Sequence, residues 1–360
     1  MSTHHNITMV DAKTKSIQTR VLTGTDLDQF VTSLQDEATP PAHPARDVRW
    51  LCTLQTALGH TPYLIEASTP DGLRGHLALC LVQSSLFGKF LVGLPYINYG
   101  GVDEVDSSLA QALIDGAVDL AASLDVKHLE LRHESHVEHP ALTETMTTKV
   151  HMRMVLPDTA DTLWKAFKPK VRNQIRKGEK QDFGIHWGRL ELLEDFYAVF
   201  SRNMRDLGTP VFGRRLFSTI LQDFPDAELC VLHDTSQPVA GALLVHGRHV
   251  TEVPSASALR AYNSKNVNML MYWHLLQRAI ARSQDVFDFG RSTMDGSTYR
   301  FKKQWGAAAS PAVWQYHVLK GDIGTMRRES GKYQWVIRAW KQLPLAVANR
   351  MGPWIVRGIP

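Results

Sequence analysis

The run FDFGRSTMDGSTYRFKKQWG, Phe287 to Gly306, sets one carboxylate, Asp288, close to Arg291, Ser292, Lys302 and Lys303. Glycines at 290, 296 and 306 and the rings of Phe301 and Trp305 are interleaved with them. Val286, Phe287 and Phe289 read as a short apolar strand that opens into a polar loop. Loops at strand ends are where binding and catalytic groups concentrate. An arginine fork there suits a phosphate or carboxylate held by paired hydrogen bonds.

Two other stretches carry similar signals. In LWKAFKPKVRNQIRKGEK, Pro169 reads as the first residue of a helix. Val171 and Ile175 then lie one turn apart on a buried face, and Arg172 and Arg176 lie one turn apart on another. With Lys168, Lys170 and Lys177 they form a cationic ridge, either an anion site or a solvated charged face. LPYINYGG ends a strand with Asn98, Tyr99 and two glycines. Tandem glycine lets the backbone approach a ligand closely, or simply turn sharply.

Several classes lose their main support. DFG has no glycine-rich loop and strand lysine before it and no HRD motif, so a kinase reading fails. There is no G-x-G-x-x-G, no phosphate-binding G-x-x-x-x-G-K-[ST], no H-E-x-x-H and no G-x-S-x-G. Cys52, Cys80 and Cys230 lack metal-ligand spacing and are odd in number, so no metal site is expected and isolated, reduced thiols are. That points to a reducing cytoplasm.

The elements that must position these groups fall in two similar series. The chain has 360 residues, 44% of them hydrophobic, and a net charge of +4. That is enough for two ordinary domains and mildly favours anionic partners. The first series is a helix at Trp50–Gly59, strands PYLIEAS, GHLALCLVQ and KFLVGLP, a helix from Ser107, then strands KHLELRH and KVHMRMVL. The second is four helices between Thr162 and Phe224, strands ELCVLHD, VAGALLVHG and HVTEVPSAS, the helix NMLMYWHLLQRAIARS, then DVFDFG and AVWQYHVLK. Duplication would explain the shared order; generic alternation of helices and strands is the plainer account. The expected class is α/β with mixed sheets.

The ends differ from this body. The start, MSTHHNITMVDAKTK, has no apolar segment of the secretory kind, and no window reaches the ~20 apolar residues of a membrane span. His4–His5 reads as part of a solvated tail. The C-terminal end carries Trp335, Trp340 and Trp354 among leucines, with Arg338, Lys341, Arg350 and Arg357. That composition suits a membrane interface. Pro344 and Pro353 argue against one continuous helix, and packing back on the protein is an equal alternative.

Taken together, SSLFGKFLVGLPYINYGG, NMRDLGTPVFGRRLF, FDFGRSTMDGSTYRFKKQWG and the tail WKQLPLAVANRMGPWIVRGIP resemble the FemAB-like proteins, in the branch tied to exosortase (PEP-CTERM) and exopolysaccharide loci. The resemblance spans about residues 45–360. It implies two tandem GNAT-like acyl-CoA N-acyltransferase domains, at 21–157 and 158–322, between a flexible start at 1–20 and a helical tail at 323–360. Members of the wider family move an aminoacyl group from charged tRNA to an amine of a peptidoglycan precursor. The implied donor is therefore aminoacyl-tRNA or acyl-CoA, with no tightly bound cofactor. The segment ALRAYNSKNVNML departs from the R/Q-x-x-G-x-G/A coenzyme A loop.

The motif F-K-x-x-aromatic-G, here Phe301, Lys302, Trp305 and Gly306, carries the family's donor-handling lysine onto Lys302. The resulting expectation makes Lys302 and Asp288 catalytic. Arg291, Ser292, Tyr99, Asn98, Arg172, Arg176, Phe301 and Trp305 would bind substrate. The acceptor would be an envelope or lipid-linked saccharide precursor, met in the cytoplasm or at the inner face of the membrane. Rivals are an acetyl-CoA-dependent sugar-amine acetyltransferase and a non-catalytic envelope-polysaccharide binding protein. An RNA-binding protein is weaker, since the RNA-binding aromatic signature is missing. An internal Asp288–Arg291 ion pair that merely stiffens the loop is the plain structural reading.

Overall fold

The computed structural model describes residues 17–35, 40–85, 87–102, 106–321 and 334–359. The His4–His5 pair lies outside them. The first half runs β1 (Gln18–Leu22), α1 (Gly24–Gln35), α2 (Arg49–Leu58), β2 (Thr61–Ser68), β3 (Arg74–Ser84), β4 (Gly88–Val92), α3 (Ser107–Ser123), β5 (His128–His133) and β6 (Glu144–Val155). The second runs α4 (Ala160–Ala166), α5 (Pro169–Glu179), β7 (Gly184–Gly188), α6 (Leu193–Leu207), α7 (Arg214–Asp223), β8 (Glu228–Asp234), β9 (Gln237–His246), β10 (Val250–Ala258), α8 (Val267–Ala281), β11 (Val286–Thr293), α9 (Ser297–Gln304) and β12 (Ala308–Val318). The tail forms α10 (Gln334–Lys341) and α11 (Leu345–Val356).

Local chemistry explains the boundaries. α2 stops at Gly59, which takes the left-handed conformation (φ +75°) that glycine adopts without a Cβ clash. The Asp106 carboxylate caps α3 by accepting from the Ser108 N–H. α5 begins on Pro169, whose missing N–H costs nothing there. β1 takes in residues that the sequence reading left to a flexible start: it is held as an edge strand against β2, Gln18 opposite Ser68.

A larger difference lies in the opening run. Beyond Phe289 the chain is not a polar loop. β11 continues to Thr293, and α9 carries Lys302. Its buried residues, Tyr299 and Lys302, are three apart and share one helical face. A lysine on the inward face hides the apolar period that would have announced the helix.

One mixed sheet of twelve strands joins both halves in the order β1-β2-β3-β4-β5-β12-β6-β11-β10-β9-β8-β7. β12 lies between β5 and β6, so the late strand of each half pairs across to the other. Neighbours are antiparallel except β4 with β5 and β10 with β11. These two parallel pairs occupy matching places in the halves, and each is short. Pairing ends at Val92 opposite Glu130 and at Glu252 opposite Asp288.

The halves also share a core. Leu54 and Tyr99 pack in one apolar cluster with Phe200, Phe217 and Val231. A second cluster, under α5 and α8, holds Phe287, Phe289 and Trp305. Apolar burial of that kind, at about 25 cal/mol per Å², anchors β10 and β11 in the second cluster and the loop after β4 in the first.

Candidate functional site

The fork is built by backbone rules. After Glu252, β10 shifts register against β9, and Pro254, which has no N–H, sits in the shift. β11 shifts against β6 between Asp288 and Arg291. Gly290 lies in that shift at φ +73°, and a Cβ there would meet the Asn98 amide nitrogen at 3.2 Å. Bulges of this kind re-aim side chains at the end of a pairing.

Asp288 is fully buried and its carboxylate collects donors from four elements. His43 Nε2 lies 3.1 Å from Oδ2, and Arg153 Nε donates to the same oxygen at 3.1 Å. The Tyr99 hydroxyl donates to it as well, and the Gly290 N–H donates to Oδ1 at 2.6 Å. Burial opposes the charged form. Hydrogen bonding and charge from His43, then from Arg153 and Tyr99, outweigh it and hold the carboxyl well below the usual range. Arg153 also donates to Glu134 at 2.6 Å, and Glu134 accepts from Arg46 at 2.7 Å. The Arg153 and Glu134 side chains are 28% and 24% exposed, so the network reaches solvent there.

Glu252, the Cα partner of Asp288, is in the opposite regime. It is buried and accepts from Asn98 Nδ2 at 3.0 Å. Burial, and the charge of Asp288 beside it, push its carboxyl up to about 7. Lys302 completes the fork. Its ammonium donates to the Gly290 and Arg291 carbonyls, both at 3.1 Å, and burial pulls it down to about 8. Two groups that titrate near neutrality, beside a fixed anion, are equipped for proton transfer.

The comparisons agree with this architecture. Residues 165–303 match the family model described as an acetyltransferase (GNAT) domain. The fold is a tandem GNAT-like fold. Among solved structures, FemX is similar at 16% identity and a TM-score of 0.62, over 89% of this chain and all of that one. L-PGS from Bacillus licheniformis is similar at 12% and 0.54, over 92% and 96% of the two chains. A tandem GNAT protein from the clavulanic acid biosynthesis pathway is similar at 12% and 0.53, over 85% and 100%. No curated protein matches the chain.

Within this tandem GNAT-like fold, Asp288, Lys302, Tyr99 and Asn98 meet at one place. Arg291 lies beside it: it stacks on Trp314 at 3.8 Å, and burial followed by the charge of Arg132 pulls it down to about 10. It forms no ion pair with Asp288, whose partners are Arg153 and His43. Its Nη1, the Ser292 hydroxyl and both ring nitrogens of the fully buried His151 find no partner among the described residues. His151 is the Cα partner of Arg291 and stacks on Tyr99 at 4.3 Å.

The other expected residues lie elsewhere. Trp305 is buried in the apolar core against Phe167, and Phe301 packs on Tyr272 beside it. Both anchor α9 to the core, Phe301 from the middle of the helix and Trp305 from its C-terminal cap. Arg172 donates to the Lys165 carbonyl and Arg176 lies over Trp164, so both sit along α4 and α5 and not on the Asp288 network. Among the described residues no group of His, Cys, Asp and Glu is placed to hold a metal.

Sequence reasoning missed His43, Glu134, Arg153 and Glu252. Glu252 carried a faint signal, a lone acid in HVTEVPSAS two residues ahead of a mid-strand proline.

Proposed function

We propose that the chain is an N-acyltransferase of the FemAB-like kind, acting on an amine of a cell-envelope or exopolysaccharide precursor. The observation that carries the reading is the Glu252–Asp288 rung at the fork of β10 and β11, with Lys302 against the backbone that follows it. Glu252, near 7, takes a proton from the acceptor amine as its nitrogen attacks the donor carbonyl. The N–C bond forms, the bond from the acyl carbon to the donor's oxygen or sulfur breaks, and that atom leaves with a proton from solvent. Lys302 stabilises the negative charge that develops. Asp288, held ionised, has little affinity for a proton at neutral pH; it fixes His43, Tyr99 and Arg153 around the fork and so orients the amine. Arg291, with Ser292, holds an anionic part of the donor or acceptor.

Aminoacyl-tRNA is the donor favoured by the segment between β10 and α8. There Arg260–Lys265 forms a short 3₁₀ turn without the glycines that let backbone N–H groups wrap a pyrophosphate. The GNAT domain match over 165–303 favours acyl-CoA as the second reading. Coenzyme A protection in a thermal melt separates the two donors. The reading itself is tested by mass spectrometry of envelope glycans and precursors from a deletion strain. A species lighter by one acyl or aminoacyl unit, restored by the wild-type chain and not by Glu252→Gln, is expected; an unchanged precursor pool sinks the reading.

A further inference from the structure

The tail presents a second, unassigned surface. From Gln334 onward the sequence contains Arg338, Lys341, Arg350 and Arg357 and no Asp or Glu. Its two helices spend one face on α6 and the loop after it. The Leu343 carbonyl accepts from Arg205 at 2.8 Å, and Asn349 Nδ2 lies 3.4 Å from Ser201 Oγ. A Cβ on Gly352 would fall 2.8 Å from the Val211 nitrogen, so α11 lies hard against that loop.

The other face is not buried. Half of the strongly exposed large apolar side chains among the described residues lie here: Trp335, Val336, Val347, Met351, Trp354 and Ile359. Trp335 and Trp354 are 69% and 53% exposed. Val347, Met351 and Trp354 recur at spacings of four and three, which makes one stripe along α11. Exposed apolar side chains scattered singly need no explanation, but a stripe rimmed by cations does.

We propose that this outer face docks on an anionic phospholipid bilayer, with α10 and α11 lying in the plane of the interface. Arginine and lysine at the rim meet the lipid charge, while the tryptophans and the Val347–Met351 stripe enter the headgroup–acyl boundary. The aliphatic part of the stripe decides against single-stranded RNA, whose bases would stack on the tryptophans but gain nothing from valine and methionine. Among the described residues no helix is long and apolar enough to cross a membrane, so the contact is peripheral. The Arg357 carbonyl accepts from the Tyr96 hydroxyl at 2.7 Å, which ties the docked helix to the loop carrying Asn98 and Tyr99. The docking proposal holds whether or not the fork transfers an acyl group.

The test is co-sedimentation of the full chain with phosphatidylcholine vesicles, with and without phosphatidylglycerol, at low and high salt. Binding to the anionic vesicles, lost with phosphatidylcholine alone and weakened by salt, is expected. Two variants, Trp335→Ser with Trp354→Ser and Arg338→Gln with Arg350→Gln, should each weaken it on the order of tenfold with an unchanged melting temperature, since these side chains face solvent. Wild-type protein that stays in the supernatant with anionic vesicles at low salt overturns the proposal. So does binding that neither variant weakens, or binding to single-stranded RNA that the same variants abolish.

Discussion

Asp288 on β11 and Glu252 on β10 are Cα partners in the last rung before their strands part, and their surroundings shift the two carboxyls in opposite directions. Four donors converge on Asp288, whereas Glu252 receives one amide N–H and otherwise burial. Two carboxylates that close are not both kept ionised at little cost, so the one with cations takes the charge.

For Glu252→Gln we expect transfer to fall on the order of 10²–10⁴-fold with the fold intact, the range for loss of a positioned general base. In the wild type kcat/KM should rise with pH through about 7. Glu252 keeps its proton to about pH 7 when folded and only to the ordinary glutamate range when unfolded. Stability therefore falls as pH rises from that range to 7, and the glutamine variant should flatten the fall in pH-resolved denaturation. A rising limb that survives in the variant assigns the base elsewhere.

Asp288→Asn is a structural lesion as well as a functional one. It leaves His43 and Arg153 facing an uncharged amide in a buried site, where breaking one side of such a pair costs roughly 3–5 kcal/mol. Tyr99→Phe removes a single charge-assisted donor and should cost less, about 1.5–3 kcal/mol. Urea midpoints of the two variants at neutral pH check the order; equal losses would mean that the carboxylate is not the hub.

Lys302→Met addresses the ammonium. Burial lowers the folded pKa to about 8, while the unfolded chain holds that proton to the ordinary lysine range. The unfolded state then binds more protons between those values, so wild-type stability should rise with pH across that interval relative to the methionine variant. Activity should fall above pH 8 as the charge is lost, and the variant should lose transfer at every pH. A fully active, normally folded variant removes Lys302 from the mechanism.

How far the sequence reached depends on where each signal resided. The strand pairs PYLIEAS with GHLALCLVQ and ELCVLHD with VAGALLVHG, and the helix NMLMYWHLLQRAIARS, were legible because turn residues and helical period are local. β1 and β7 were not: their burial patterns show mostly exposed or half-buried edges, without the apolar alternation that marks a strand. In the site, Asn98, Tyr99, Asp288 and Lys302 announced themselves in glycine-rich runs. Arg153 and His43 did not, because β6 sits beside β11 only through the exchange of strands between the halves, and His43 arrives on a loop 245 residues from its partner. No local period encodes such a meeting.

Away from the site, Glu228 is a second buried carboxylate whose ionised form stabilises the fold at acid pH. Burial would raise its carboxyl, but hydrogen bonds from His246 at 3.0 Å and from Arg278 at 2.8 and 2.7 Å bring it down to about 2. The stabilisation is present above the ordinary glutamate range and lost as pH falls toward 2. Arg278→Gln should shift the acid-unfolding midpoint upward in pH, measured by circular dichroism. An unmoved midpoint would place the acid limit in other groups.

The loop that brings Asn98 and Tyr99 to the fork depends on two glycines. Gly93 and Gly100 face each other so closely that a Cβ on either would lie 1.8 or 2.0 Å from the other's carbonyl oxygen. The Gly93 N–H donates to the Glu130 carbonyl at 2.8 Å, and Gly100 bridges Arg132 on the same strand, so neither can retreat without breaking β5 contacts. Arg132 closes the loop from below by donating to the Ile97 carbonyl at 2.6 Å. Gly100→Ala should therefore displace Tyr99 from Asp288 and uncover Glu252, lowering the melting temperature by several degrees, as about 1–3 kcal/mol of overpacking does in a domain of this size. Transfer should fall with it, and the raised pH limb of Glu252 should shift toward the ordinary glutamate range as water enters. A Gly100→Ala protein with wild-type melting and an unshifted limb would mean that the loop is not what seals the fork.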